Sequence, residues 1–262
     1  MKLEGKTAIV TGTSPNIGGG IAEGLSAEGA NLVCVDISEE NAMDCARYLE
    51  SQGARAFGVA ADVTDEKGVQ GVVERAVAEF GSVDVLVNNA VIFNQKGVLD
   101  MPLDEWRAQV SVILTGSFLF TQKVARQMVA DGTTGTIINI ISTAGHQGQP
   151  GTVGYCTGKS GLINFTRSVA MELAQHGIRV VSLTPTATDP TERRERAARW
   201  GREVTGPDPA PFMDRFRKGV PMQKLPSPSD YAKAAVFLAS DDASMMTGSD
   251  LKVDAGAVSR YW

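Results

Sequence analysis

Tyr155 and Lys159 stand four residues apart in Tyr155-Cys156-Thr157-Gly158-Lys159, at the start of a stretch with helical period. On a helix that spacing puts a phenol and an ammonium on one face, one turn apart. A free phenol titrates near pH ~10 and a neighbouring cation favours its phenolate, so the pair predicts a tyrosine whose pKa is drawn toward neutrality. Ser142, in Ile140-Ile141-Ser142-Thr143-Ala144-Gly145, adds a hydroxyl able to hold a substrate oxygen. Alone, Tyr-x-x-x-Lys is more often a solvated helix face. It becomes a candidate acid–base site through its company.

That company is a phosphate-binding pattern. Thr11-Gly12-Thr13-Ser14-Pro15-Asn16-Ile17-Gly18 follows the apolar run Thr7–Val10 and leads into a helical pattern carrying Ile21, Ala22 and Leu25. Strand, small-residue turn and helix N-terminus together make an anion site, because unpaired backbone N–H groups and the positive end of the helix dipole face one point. Gly12 permits the tight turn, and Gly18 lets helix and pyrophosphate approach closely. Asp36 ends the next apolar run about 20 residues on, where a carboxylate accepts from a ribose 2′-hydroxyl and repels a 2′-phosphate. Thr13, Ser14 and Pro15 supply no basic side chain, so the pattern favours NAD over NADP. The plainer alternative for Asp36 is a cap on the following turn or helix.

To position these groups the chain alternates short β-branched runs with longer helical segments, the sequence form of βαβ units around a parallel sheet. Strands are expected at Thr7–Val10, Asn31–Val35, Ala54–Val59, Val83–Val87, Thr136–Ile141, Arg179–Leu183 and Leu251–Val253. Helices are expected near 18–28, 39–51, 65–80, 104–130, 153–176 and 229–240, four of them followed by a glycine suited to a left-handed cap: Gly29, Gly53, Gly81 and Gly177. The expected fold is α/β, one doubly wound Rossmann-type domain over 1–262 with about seven strands in an α/β/α sandwich. Thr186 to Pro228, rich in Pro, Arg and Glu, reads as an insertion with short helices at Pro190–Arg202 and Pro211–Lys218. Such an insertion after a strand is either a flap over a site or a surface excursion.

Net charge of −5 across 262 residues opposes a surface built for nucleic acid or anionic lipid. No apolar run approaches the ~20 residues of a membrane span, and the first residues lack a signal-peptide pattern, so a cytoplasmic protein is expected. Cys34, Cys45 and Cys156 lack disulfide or zinc spacing and read as buried thiols; no metal is expected.

From Lys6 to about Ala257 the chain resembles the short-chain dehydrogenase/reductase family. Its TGxxxGxG motif appears as Thr11 to Gly18, with Asn16 at the middle glycine, where Asn is the least costly substitute if the backbone must be left-handed. Asp62-Val63 matches the family's adenine-contacting pair, and Asn88-Asn89-Ala90-Val91 matches NNAG with Val91 in place of glycine. The resemblance implies NAD held by the turn (Gly12, Ser14, Asn16, Ile17, Gly18), by Asp36 and Ile37, by Asp62 and Val63, and by Asn88, Ala90 and Val91. Tyr155 and Lys159 complete the set with Pro185, Thr186, Ala187 and Thr188, where the family often has PG. It also implies that Ser142, Tyr155 and Lys159 are catalytic: Tyr155 as general base toward a hydroxyl, Ser142 steadying the oxyanion, and Lys159 on the nicotinamide ribose. The expected reaction interconverts a secondary alcohol and a ketone, and the family's usual C-terminal ending, Asp230 to Gly256, implies a homotetramer.

Ile113 departs from the family, standing where the asparagine that supports a proton-relaying water is usual. From the residues alone it reads as core, on one helical face with Val110, Leu114, Ser117 and Phe118. This leaves a second class open: a catalytically weak NAD-binding sensor or scaffold on the same fold. For the small-molecule substrate the expected walls are Phe93, Ser142, His146, Gln149, Tyr155, Trp200 and Met213, with Phe212 and Phe216 as further apolar anchors, suiting an aromatic or alicyclic compound. His146 reads equally well as a loop hydrogen-bond donor. Arg193, Arg194, Arg196, Arg199 and Arg202 either select an anion or, interleaved with glutamates, form a solvated helix face.

Overall fold

Alternate residues of each strand feed two separate cores, which fixes the sheet in the middle of the molecule. Ala8 and Val10, Leu32 and Cys34, Val85 and Val87, and Val181 and Leu183 face one way. Ile9, Val33, Val35, Leu86, Ile137 and Val180 face the other. Strands covered on both faces in this manner belong to parallel sheets flanked by helices. The computed structural model describes residues 1–203 and 210–259; residues 204–209 and 260–262, and the side chains of 210–212 including Phe212, lie outside the described residues.

The strands are β1 (Thr7–Thr11), β2 (Asn31–Asp36), β3 (Ala56–Ala60), β4 (Val85–Asn88), β5 (Thr136–Ile140), β6 (Arg179–Pro185) and β7 (Asp250–Val253). They form one sheet in the order β3-β2-β1-β4-β5-β6-β7 with every pairing parallel. This is a doubly wound Rossmann-type α/β fold. The order reverses between β1 and β4, and a crevice opens at the strands' carboxyl ends there. The helices are α1 (Ile17–Ala27), α2 (Glu39–Ser51), α3 (Glu66–Phe80), α4 (Leu103–Val110), α5 (Gly116–Asp131), α6 (Thr143–His146), α7 (Val153–Leu173), α8 (Thr191–Arg199), α9 (Ala210–Gly219) and α10 (Pro228–Ala239). The four cap glycines all have positive φ.

Three details differ from the periodicity. The helix expected over 104–130 is interrupted by one π-helical segment, Ser111–Thr115, where Ser117 Oγ donates to the Ile113 carbonyl at 2.7 Å. A π segment inserts one residue and shifts the hydrophobic phase, which a 3.6-residue pattern cannot register. The four-residue α6 was too short to carry a period. Asn16 has φ −119°, so the asparagine does not serve a left-handed turn. Among the described residues no helix is long and apolar enough to cross a membrane.

A buried polar chain ties the helices to the sheet. Asn88 Nδ2 on β4 donates to Thr121 Oγ1 of α5 and to Asn139 Oδ1 of β5, and Asn139 Nδ2 donates to Thr166 Oγ1 of α7, all between 2.9 and 3.0 Å. Buried amides hold only when both ends are paired. Asn88→Ala should therefore lower the unfolding free energy by about 1–3 kcal/mol through orphaned partners, read as a shifted denaturant midpoint at unchanged m; a midpoint equal to wild type would contradict it.

Candidate active site

At the crevice, β1 runs into the turn before α1. Gly12 has φ +72°, and a Cβ there would meet Asn89 Nδ2 at 2.9 Å. At Gly18 a Cβ would come within 2.0 Å of the Gly12 carbonyl, so no side chain fits. The N-terminus of α1 has no side-chain cap and no acid in its first turn, and while the Gly19 N–H bonds the Ser14 carbonyl at 3.0 Å, the Ile17 and Gly18 N–H groups are left to the crevice. The cleft holds about 340 Å³ and is lined by Gly12, Ser14, Asn16, Ile17, Gly18, Asp36, Ile37, Asp62, Val63, Ala90 and Val91, together with Asn41, Ala61, Asn89, Ile92 and Val112.

Asp36 is 8% exposed at the end of β2. Its Oδ1 accepts from the Ser38 N–H at 2.9 Å and from Asn41 Nδ2 at 3.3 Å. Ser38, not Asp36, caps α2. Oδ2 takes no bond from a described residue, so one carboxylate oxygen stays available to a diol. Asp62 Oδ1 is held by the Thr64 N–H and hydroxyl, both at 2.8 Å. The expected contact Asn88 points away, into the polar chain beneath the sheet, while Asn89 faces the cleft with Nδ2 on the Thr11 and Gly12 carbonyls. Neighbouring residues leaving a strand face opposite sides, and this alternation could have picked Asn89 over Asn88 from sequence.

The chemical groups gather at the end of β5. Ser142 leaves the strand and caps α6, its Oγ accepting from the Ala144 N–H at 3.2 Å. The Ser142 side chain stands beside Tyr155, close enough to favour its phenolate. Lys159, one turn along α7, is buried, donates from Nζ to the Ile140 carbonyl at 2.6 Å, and lies 5.9 Å from the Tyr155 ring centre. Phe93 meets the Tyr155 ring edge-on at 5.0 Å.

The electrostatics invert the expectation for the phenol. Burial raises the Tyr155 pKa, opposed by the Ser142 side chain. Burial also lowers Lys159 to about 7. A half-neutral ammonium exerts little pull on the phenol, so desolvation outweighs charge proximity at both groups.

Elsewhere the expected walls disperse. His146 Nε2 lies 3.1 Å from Thr184 Oγ1 and 3.2 Å from Asp250 Oδ2, so the ring bonds β6 and β7 in the manner of a loop donor. Trp200 packs on Gly19 of α1 among the core residues, away from Tyr155. Met213 packs with Ala187 against Val220, Leu225 and Ala257. Gln149 is half-buried, with its carbonyl accepting from the Thr152 hydroxyl. After β6, the Thr186 carbonyl accepts from Tyr231 and Thr188 Oγ1 lies 3.5 Å from the same hydroxyl, a reach that binds this loop to α10. Pro185 ends β6. Ile113 is fully buried, its methyls against Gly158.

A family model described as enoyl-(acyl carrier protein) reductase matches residues 12–258. The structure superimposes with a TM-score of 0.89 on a short-chain dehydrogenase/reductase from Burkholderia xenovorans, at 31% identity over 100% of this chain and 99% of that one. The chain belongs to the short-chain dehydrogenase/reductase family. Within this family it is similar to NAD+-bound xylitol dehydrogenase, with TM-score 0.86 and 31% identity over 97% and 99% of the two chains. It is also 38% identical to cis-4-hydroxycyclohexanecarboxylate dehydrogenase of Sinomonas cyclohexanicum over 96% of each chain. Short-chain dehydrogenase/reductase chemistry draws on a nicotinamide dinucleotide, and the uncapped start of α1, the side-chain-excluding glycines and the available Asp36 oxygen suit such a group.

A buried lysine also marks the stability of this dehydrogenase fold. Unfolded, Lys159 titrates near 10.5; folded, near 7, so between those values the unfolded chain binds the extra proton. Stability therefore rises with pH across that window and is lost as pH falls through it. Lys159→Met should remove this rise and stabilise the fold at neutral pH by on the order of a few kcal/mol, measured by urea unfolding at a series of pH values. Parallel curves for wild type and variant would show the ammonium to be solvated.

Proposed function

We propose that this oxidoreductase is an NAD-dependent dehydrogenase interconverting a secondary alcohol and a ketone on an aromatic or alicyclic small molecule, with Ser142, Tyr155 and Lys159 as its catalytic residues. The observation that carries the reading is the gathering of Ser142, Tyr155 and Lys159 at the end of β5, on the same carboxyl-end side of the sheet as the cleft that Asp36 lines. Chain 1–262 serves on this reading as one dinucleotide-binding domain with an insertion over 186–228.

Bound nicotinamide supplies the hydride acceptor or donor. The chain's own residues handle the proton and the oxygen. Tyr155, half-buried and protonated at neutral pH, would give its proton to a carbonyl oxygen; in the reverse direction its phenolate would take the hydroxyl proton. Ser142, beside Tyr155, would donate to the same oxygen. Lys159, fixed by the Ile140 carbonyl and titrating near 7, is suited to pass a proton to and from the site at working pH. Phe93, edge-on to Tyr155, supplies an apolar wall suited to a ring. For the dinucleotide, Gly12 to Gly18 would hold the pyrophosphate, Asp36 the ribose diol, and Asp62 and Val63 the adenine. The choice of NAD rests on Asp36, with the NAD+-bound relative as support.

Ile113 favours the second reading, a weak NAD-binding sensor, because its buried methyl groups carry no polar function where the family relays protons. Screening alcohols and ketones by NADH absorbance separates the two: hydride exchange supports the enzyme, and tight NADH binding without exchange supports the sensor. The homotetramer is supported by the apolar surface between α5 and α7, where Phe118, Val129, Phe165 and Val169 line a depression of about 440 Å³.

Tyr155→Phe should reduce kcat by at least ~100-fold while the NADH dissociation constant, read by fluorescence titration, stays unchanged; retained turnover would remove Tyr155 from proton transfer. Asp36→Ala should narrow the preference for NADH over NADPH by about tenfold, and an unaltered ratio would detach Asp36 from the ribose.

A further inference from the structure

The insertion does not keep to the substrate side. Its first helix, α8, lies along α1 and α10 and is fastened there by buried contacts. Arg196 is 2% exposed with Nε 3.0 Å from Glu23 Oε1, Glu192 Oε2 accepts from the Ser229 N–H and hydroxyl at 2.9 and 2.7 Å, and Trp200 covers Gly19. The chain then turns, with the Arg202 N–H bonded to the Ala197 carbonyl at 2.8 Å, and Arg202 reaches the first turn of α2. There Arg202 Nη1 donates to Asn41 Oδ1 at 2.6 Å, Nη2 donates to Glu40 Oε2 at 3.0 Å, and Nε stands 3.5 Å from Asp44 Oδ2. Asn41 in turn lines the cofactor cleft and donates from Nδ2 to Asp36 Oδ1.

The order of these atoms follows from what each group can do. A guanidinium has donors only, so it fixes the carbonyl end of the Asn41 amide toward itself. The amino end is then obliged to face Asp36. Were the amide reversed, its carbonyl would sit against a carboxylate and both contacts would become repulsive. With Oδ1 occupied by Asn41 and by the Ser38 N–H, the carboxylate is held in one rotamer and Oδ2 is the oxygen left for a ligand. Arg202 itself is committed to three acceptors, which leaves it poorly placed to meet a 2′-phosphate.

We propose that Arg202 is a positioning residue for dinucleotide discrimination, acting from the insertion through Asn41 to orient Asp36. The inference rests on the NAD reading above and adds to it a physical link between the segment flanking the substrate side and the ribose end of the cleft. Cofactor choice in this chain then depends on a residue far along the sequence from the glycine turn.

The test is a double-mutant cycle on NADH and NADPH binding, followed by cofactor fluorescence with the intact protein. Arg202→Met and Asn41→Leu should each weaken NADH about five- to tenfold and shrink the NADPH-to-NADH ratio of dissociation constants by a similar factor. The double variant should bind NADH no more weakly than Asn41→Leu alone, since Arg202 has nothing left to orient. A general loss of positive charge would instead give additive effects, and additivity overturns the proposal. So does an Arg202→Met variant with unchanged NADH affinity, or one losing NADPH selectively, which would make Arg202 a phosphate ligand. Arg202→Lys, retaining the charge without the fork, repeats the measurement should Arg202→Met not fold. Wild-type protein that prefers NADPH would overturn both the NAD reading and this inference, whereas tight NADH binding by wild type and variants alike overturns only the inference.

Discussion

One hydrogen bond, from the buried Lys159 ammonium nitrogen to the Ile140 carbonyl, joins the two elements on which the site is built. Ile140 is the last residue of β5, and Ser142 leaves the strand two residues later; Lys159 lies on α7, one turn after Tyr155. The bond therefore sets strand end and helix face against each other. Its cost is the desolvation of a cation, visible in the drop of Lys159 to about 7. The same burial keeps the phenol protonated, so a single constraint both places the groups and sets their protonation. Two glycines let the neighbours of α7 come close: a Cβ at Gly145 of α6 would meet the Lys159 carbonyl at 2.8 Å, and one at Gly158 would meet the Ile113 methyl groups of the π segment at 3.0 Å.

Behind this junction the sheet provides rigidity in layers. The chain of amides from Thr121 through Asn88 and Asn139 to Thr166 runs under β4 and β5 and ends on α7, the helix bearing the phenol. Toward the cleft, Asn89 holds the glycine turn through the Thr11 and Gly12 carbonyls. Two adjacent asparagines thus serve opposite faces of one strand end, one for packing and one for the ligand turn. Ile113 packs its methyl groups across from Gly158 within the π segment, where Ser117 bonds to its carbonyl.

The seven strands, the glycine turn, Asp36 and the Ser142, Tyr155 and Lys159 cluster were legible in the sequence because each follows a local rule: β-branched runs, a small-residue turn before a helix, and i,i+4 spacing. The direction of the Tyr155 shift was not legible, since proximity in sequence cannot show that Lys159 is stripped of water. Nor was the fate of Trp200, and for His146 the loop-donor reading could not name its partner. Both sit on segments whose polarity and aromatic content suit a pocket, yet their partners, Asp250 and Gly19, are about 100 or more residues away along the chain. Arg196 was equally concealed: within a run of alternating Arg and Glu it looks solvated, and only the placement of Glu23 on α1 makes it a core residue.

The way residues 186–203 are seated has a consequence for how such enzymes are re-engineered. An insertion after the sixth strand invites treatment as an exchangeable cassette, to be swapped between relatives to alter what is bound. In this chain its anchors are spread over Gly19 and Glu23 of α1, Glu40, Asn41 and Asp44 of α2, and Ser229 and Tyr231 of α10. A transplanted segment would arrive without its sockets, leaving an empty groove over Gly19 and unpaired carboxylates on two helices. Recombination at this point therefore has to carry all three helices along, so that the smallest transferable unit spans α1, α2 and α10 together with the insertion.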